Sequence, residues 1–147
     1  MQATLTASRV RHWAGLGMMA NKAHYGLQYF TENNRKVDQS ARMYLEQGLQ
    51  LCKRLVEGEK TRKRGRITEV RQLGSLADVE PKEISVTVGR VKPQKVLKTF
   101  VTILQAKRTS AVSSQQLREA QDFLLRISDA YTKVAFKELG DLESAED

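Results

Sequence analysis

The spacing of apolar residues between Val37 and Val56 is the feature that most restricts the fold of this chain. Apolar side chains recur there every three or four positions, which places them along one side of an α-helix. Only two prolines, Pro81 and Pro93, interrupt the 147 residues, so long helices can form on both sides of them. The sequence therefore predicts an all-α protein, a single bundle of about five helices with a basic extended connector.

Five segments show this helical periodicity together with local start or stop signals. They are residues 10–30, 38–59, 67–79, 93–108 and 113–139. Thr6 or Ser8 is the expected N-cap of the first helix, and the dipeptide Asn33-Asn34 is its expected end. Ser113 with Gln116 three positions later forms a capping box, which predicts the start of the last helix.

One domain accounts for a chain of this length. The helical bundle is predicted to cover residues 1–140, where Gly140 serves as a helix stop, and an acidic tail covers 141–147. Apolar and polar residues alternate like a strand in EISVTVGRVKP, residues 83–93, but no second segment alternates in this way. A lone strand cannot satisfy its backbone, so this segment is predicted to be the extended connector.

Positive charge is the most informative functional feature. The chain has 25 Lys and Arg against 17 Asp and Glu, for a formal net charge of +8. Five of the seven residues of KTRKRGR, 60–66, are basic, and no acid occurs from 84 to 118. The predicted nucleic-acid-binding residues are Lys60, Arg62, Lys63, Arg64, Arg66, Arg90, Lys92, Lys95, Lys98, Lys107 and Arg108.

Such one-sided charge favours contact with a phosphate backbone. A solvated helix surface ordinarily mixes both signs in i,i+4 pairs. Lys95 and Lys98 share one face of the fourth predicted helix, and the hydroxyls of Thr99 and Thr102 lie nearby to assist phosphate contact. Binding through these groups would depend on salt and carry little sequence preference. The alternative is a helical adaptor whose basic face docks an acidic protein partner.

Catalysis is not expected. Cys52 falls on the apolar stripe of the second helix, where a core thiol is favoured over a nucleophile. His12 and His24 are twelve positions apart, about 120° around one helix, so they do not face a common metal or substrate. A helical enzyme that uses Cys52 or these histidines is the least favoured alternative. No cofactor and no catalytic residue is predicted.

Four aromatic residues of the first helix, Trp13, Tyr25, Tyr29 and Phe30, have side chains that can stack on nucleic-acid bases. Their helical spacing favours core positions instead. A single cysteine and the lack of a long apolar run predict a cytoplasmic protein without membrane contact. The first 31 residues contain no acid, as in organellar transit segments, but their periodicity continues into the predicted core.

The chain resembles the small subunits of multisubunit CRISPR interference complexes, in particular those of type I-D. The residues that carry the resemblance are KTRKRGR, the basic segment around KPQKVLKTF, and the last helix QLREAQDFLLRISDAYTKVAFKEL. The resemblance implies a non-catalytic subunit, present in several copies beside other subunits of a ribonucleoprotein complex. It also implies contacts with guide RNA, target DNA or the displaced strand, while guide pairing reads the sequence.

Overall fold

The computed structural model describes residues 2–63, 91–105 and 111–146. Within those ranges it contains four helices and no strand. The helices are α1 (Gln2–Glu32), α2 (Gln39–Lys63), α3 (Pro93–Gln105) and α4 (Ser114–Glu146). The all-α prediction is confirmed for this part of the chain. The helix predicted at 67–79 and the strand-like residues 84–90 lie outside the described residues.

A turn over residues 33–38 reverses the chain between α1 and α2. Asn34 and Arg35 have positive φ angles of 56° and 58°, in the left-handed region that asparagine tolerates better than most residues. The amide of Arg35 donates to the carbonyl of Phe30 at 2.8 Å and closes the end of α1. The predicted end of the first helix at Asn33-Asn34 is confirmed.

Asp38 is the N-cap of α2. Its Oδ1 accepts a hydrogen bond from the amide of Ala41 at 2.8 Å, and its Oδ2 accepts one from the hydroxyl of Tyr29 at 2.8 Å. These bonds, chiefly that of the Ala41 amide, hold the pKa of the Asp38 carboxyl below its usual range. The carboxylate therefore fixes the start of α2 and ties it to α1.

Stability should depend on pH through Asp38. Its folded pKa lies below its unfolded pKa of about 3.9, so the stabilising contribution is present above that value and is lost as the pH falls through the folded pKa. We expect Asp38→Ala to lower Tm at neutral pH and to flatten the acid-induced decline in Tm. Thermal denaturation followed by circular dichroism measures both effects. Asp129→Ala removes an exposed carboxylate from the middle of α4. This control variant should keep the acid-induced decline in Tm of the unaltered protein.

The starts of α3 and α4 follow the sequence signals. Pro93 occupies the first position of α3, where a missing N–H breaks no helical hydrogen bond. The amide of Ser113 donates to Oε1 of Gln116 at 2.7 Å, and the amide of Gln116 donates to Oγ of Ser113 at 3.1 Å. The predicted capping box is confirmed.

Helix α1 is antiparallel to both α2 and α4. The guanidinium of Arg35, just after α1, donates to the carbonyl of Val112, just before α4, at 2.6 Å. The end of α1 therefore lies beside the start of α4, and these two helices are antiparallel. The short turn after α1 makes α2 antiparallel to α1. Contacts are most extensive between α1 and α4, while α2 packs against both α1 and α3.

Side chains from all four helices form the core. Its largest fully buried members are Trp13, Leu16, Leu27, Phe30, Leu45, Leu51, Phe100, Ile103, Phe123, Leu124, Ile127 and Tyr131. The rings of Trp13 and Tyr131 stack with their centroids 5.9 Å apart, which joins α1 to α4. The core position predicted for Cys52 is confirmed, because its side chain is fully buried.

Two glycines allow neighbouring helices to approach closely. A Cβ on Gly26 would lie 2.8 Å from the Cβ of Tyr44 and 3.3 Å from the amide nitrogen of Leu45. A Cβ on Gly48 would overlap the ring of Phe100. The α1–α2 and α2–α3 contacts therefore both require a residue without a side chain.

Two predicted helix boundaries are wrong. Helix α1 begins at Gln2 and runs through Thr6 and Ser8, so neither residue is an N-cap. Helix α4 continues through Gly140 to Glu146, because one glycine costs only about 1 kcal/mol and the residues after it favour a helix. The sequence left residues 60–66 open between helix and loop, and the first four of them form the last turn of α2.

Candidate nucleic-acid interface

The eleven predicted contact residues differ in how the structure describes them. Lys92, Lys95 and Lys98 belong to α3 or directly precede it. The backbone of Lys60, Arg62 and Lys63 forms the last turn of α2. Outside the described residues are Arg64, Arg66, Arg90, Lys107 and Arg108.

Helix α3 presents Lys98 to solvent because the helix is amphipathic. Val96, Phe100 and Ile103 recur at helical spacing and are buried, which leaves Lys98 on the opposite side. Lys92 is exposed immediately before the helix begins. Among the residues that the structure describes, neither lysine forms an ion pair with an acid. Both charges are therefore unbalanced within this part of the molecule.

Lys95 differs from its two neighbours because it bonds across to α4. Its Nζ lies 2.8 Å from Oε2 of Glu119, and 56% of the lysine side chain is exposed. The hydrogen bond from Lys95 is the main reason that the pKa of the Glu119 carboxyl lies below its usual range. A phosphate would have to compete with this carboxylate, so we expect Lys95 to contribute less to binding than Lys98.

The two threonines of α3 do not present their hydroxyls as the sequence suggested. Thr99 is buried and donates to the carbonyl of Lys95 at 3.3 Å, while Thr102 donates to the carbonyl of Lys98 at 2.8 Å. The prediction that Thr99 assists a surface contact is wrong, because its position on the helix turns it towards the core. The hydroxyl hydrogen of Thr102 is already engaged by its own helix.

The sequence-based prediction omits two exposed cations of α2, Lys53 and Arg54. Both lie on the side of α2 away from its buried stripe, and neither pairs with an acid among the described residues. The sequence signal that identifies them is their position in the helical repeat, on the side of α2 opposite its apolar stripe. Lys53 lies seven residues, about two helical turns, before the first residue of KTRKRGR.

Packing of α2 on α3 brings cations of both helices near one contact. A Cβ on Gly48 would overlap the ring of Phe100, so the middle of α2 lies against the middle of α3. Lys53 is five residues, about 7.5 Å along the helix axis, from Gly48. Lys98 is two residues, about 3 Å, from Phe100. We refer to the set Lys53, Arg54, Lys92 and Lys98 as the α2–α3 basic surface.

Two exposed cations of α4 are paired with acids of the same helix, in contrast. Nε of Arg126 lies 2.9 Å from a carboxylate oxygen of Asp122, and Nζ of Lys133 lies 2.9 Å from one of Asp129. Both are i,i+4 pairs between exposed side chains, the pattern of an ordinary solvated helix. These cations provide matched controls for the unbalanced ones of the α2–α3 basic surface.

Burial affects two of the groups considered for catalysis. Burial raises the pKa of the Cys52 thiol to about 12, so the nucleophilic thiolate is scarce at neutral pH. Burial lowers the pKa of His24. In the described ranges, no group of three His, Cys, Asp or Glu residues is placed to hold a metal ion. None of the four described helices is long and apolar enough to cross a membrane.

Comparisons with protein-family models, with curated proteins and with solved structures find no match to this chain. The candidate interface therefore rests on its own geometry and charge.

Proposed function

We propose that the protein is a non-catalytic nucleic-acid-binding subunit that stabilises a larger nucleoprotein assembly through sequence-independent phosphate contacts. The unbalanced α2–α3 basic surface carries this proposal. Three of its four exposed cations come from two packed helices and Lys92 directly precedes the second of them; none makes an ion pair among the described residues. A polyanion supplies the missing negative charge along a line, and release of its counterions drives binding.

The CRISPR resemblance gives this proposal a specific setting. The protein would act in the cytoplasm as a small subunit of an effector complex, beside other subunits and copies of itself. There it would hold guide RNA, target DNA or the displaced strand by the backbone. The guide would select the sequence, so a protein surface that contacts only phosphates is sufficient for this role.

Binding to random-sequence oligonucleotides at several salt concentrations tests the proposal, with Lys98→Ala as the variant. Removal of one phosphate contact should lower the slope of log K against log salt by about 0.7 for single strands and about 0.9 for duplexes. The reduction should be the same for unrelated sequences. Fluorescence anisotropy measures the affinity at each concentration.

Lys133→Ala is the matched control, because it removes the same charge from an i,i+4 pair on α4. We expect its salt slope to equal that of the unaltered protein. Equal salt slopes for the unaltered protein, Lys98→Ala and Lys133→Ala would contradict the proposal. The absence of any binding at low salt would contradict it too.

The second candidate is a helical adaptor that docks an acidic protein partner. A mainly apolar groove of about 330 Å³ between α1 and α4 favours contact with a protein, although it has no basic lining residue that would select an acidic one. Met18 and Phe136 line this groove and are 59% and 67% exposed, and apolar surface of this kind is common at protein contacts. Nuclease treatment before co-purification separates the candidates, because a partner of the adaptor should remain bound whereas a partner bridged by nucleic acid should be lost.

A further inference from the structure

Three tyrosines meet at the outer edge of the contact between α1 and α2. The rings of Tyr25 and Tyr44 are 5.1 Å apart and nearly perpendicular, with an interplanar angle of 76°. Tyr25 also stacks on Tyr29 at 6.5 Å and 29°. Tyr25 is 51% exposed, so much of its ring is open to solvent. We call Tyr25, Tyr29 and Tyr44 the tyrosine cluster.

The polar end of the cluster is fixed by hydrogen bonds. The hydroxyl of Tyr29 donates to Asp38 at 2.8 Å and accepts from the side-chain amide of Asn33 at 3.2 Å. The bond to Asp38 raises the pKa of Tyr29, so the phenol stays neutral at physiological pH. Gly26 lets the backbone of α1 approach Tyr44 closely, as described above. The cluster is therefore ordered before any ligand binds, which limits the entropy lost on binding.

Burial separates Tyr25 from Trp13 and Phe30, the two core aromatic residues of α1. Trp13 and Phe30 are 1% and 0% exposed, so core packing fully explains them. Tyr25 lies on the outward side of the same helix, where core packing does not require a large ring. An aromatic ring held in solvent by two others is a surface on which another flat ring can stack.

The surroundings of Tyr25 along α1 are basic. Arg11, Gly15, Met18, Lys22 and Tyr25 follow one another at steps of four and three residues, so they share one side of the helix. All five are exposed, and the first acid of α1 is Glu32. A negatively charged ligand on this side would meet cations one turn and four turns from the tyrosine ring.

The tyrosine cluster is also joined to the α2–α3 basic surface along α2. Gln47 follows Tyr44 by three residues and precedes Arg54 by seven, so the three lie towards one side of the helix. The ten residues from Tyr44 to Arg54 correspond to about 15 Å of helix. One ligand could therefore contact the ring of Tyr25 and the guanidinium of Arg54 together.

We propose that the tyrosine cluster is a stacking site for the unpaired bases of a single nucleic-acid strand whose phosphates contact Lys22 and Arg54. This inference rests on the proposed function and narrows its ligand to single strands. A flat base fits the exposed face of Tyr25, and the phosphates fit the neighbouring cations. A duplex hides the faces of its bases, so it would use the basic surface without the tyrosines.

Three ligands of equal length test this inference: a single-stranded oligothymidylate, its abasic counterpart with the same sugar-phosphate backbone, and a duplex. Tyr25→Ala should weaken oligothymidylate binding roughly 5- to 150-fold. It should leave the abasic strand and the duplex unchanged. Tyr25→Phe keeps a ring and should retain most of the affinity. Lys98→Ala should weaken all three ligands to a similar degree.

Ultraviolet crosslinking gives a second readout that does not depend on a substitution. A 5-bromouracil strand bound to the unaltered protein should crosslink at Tyr25 or Tyr44, as identified by mass spectrometry. Crosslinks confined to other residues would overturn the inference, as would equal effects of Tyr25→Ala on the base-bearing and abasic strands. In those cases Lys98→Ala still reports on the phosphate surface. Loss of a protein partner with unchanged oligonucleotide binding would reassign the cluster to a protein contact.

Discussion

Gly48→Ala is expected to lower the free energy of unfolding by about 1–3 kcal/mol, although alanine favours a helix more than glycine does. The added Cβ would lie 2.8 Å from Cε2 of Phe100 and still closer to Cζ. Phe100 is fully buried, so its ring cannot move without displacing other core side chains. The steric cost should exceed the propensity gain of about 1 kcal/mol. Urea denaturation followed by circular dichroism measures the difference.

Gly15→Ala makes the same chemical change at a helical position with open space around the new Cβ. We expect it to raise stability by up to about 1 kcal/mol. In the Gly48→Ala background, Phe100→Leu should restore part of the loss, because the smaller side chain leaves room for the Cβ. Non-additive effects in this double-mutant cycle would place the cost at the α2–α3 contact. Similar small changes in the free energy of unfolding for Gly48→Ala and Gly15→Ala would contradict the close contact between Gly48 and Phe100.

Periodicity and capping signals were sufficient to predict much of the fold. The stripe from Val37 to Val56 packs on the core as expected, and Pro93 and the capping box at Ser113 mark helix starts where predicted. These features are local, since a helix and its cap depend on residues within a few turns. The N-cap Asp38 is a local feature of the same kind, because aspartate is a common N-cap directly before an apolar stripe.

Helix ends are less predictable because weak local signals compete there. Gly140 resembles a stop, but the sequence after it continues to favour a helix and no left-handed turn ends α4 at that point. Thr6 and Ser8 resemble caps, but a cap acts only where the preceding residues are not helical, and α1 already begins at Gln2. In both cases the deciding factor was the longer stretch of good helix formers.

Contacts between helices could not be read from spacing. The acid-free segment from 84 to 118 ends one residue before Glu119, and the packing of α4 beside α3 brings that acid to Lys95. Lys53 and Arg54 lie on α2, which packs against α3 although the two helices are far apart in sequence. The predicted interface therefore included one balanced lysine and omitted two unbalanced cations, because charge counts along the chain do not show which side chains meet across helices.

The strongest expected effect on binding comes from Lys53→Gln, Arg54→Gln and Lys98→Gln together. If each cation contacts a phosphate, the salt slope for single strands should fall by about 2, since each contact contributes about 0.7. The three residues are exposed and lie on two packed helices, and we expect one strand to contact all three. Salt titration with a random-sequence strand measures the slope, and circular dichroism verifies that these exposed substitutions leave the helices intact.

Arg126→Gln and Lys133→Gln together provide the control, because they remove two charges that already pair with Asp122 and Asp129. Net charge alone acts through the long-range field of the whole protein, which changes association in both variants. Only direct phosphate contacts change the number of counterions released. A reduced slope in the α2–α3 variant but not in the α4 variant would therefore assign the contacts to that surface. Equal slopes in both would mean that phosphates bind elsewhere and that Lys53, Arg54 and Lys98 are ordinary solvated charges.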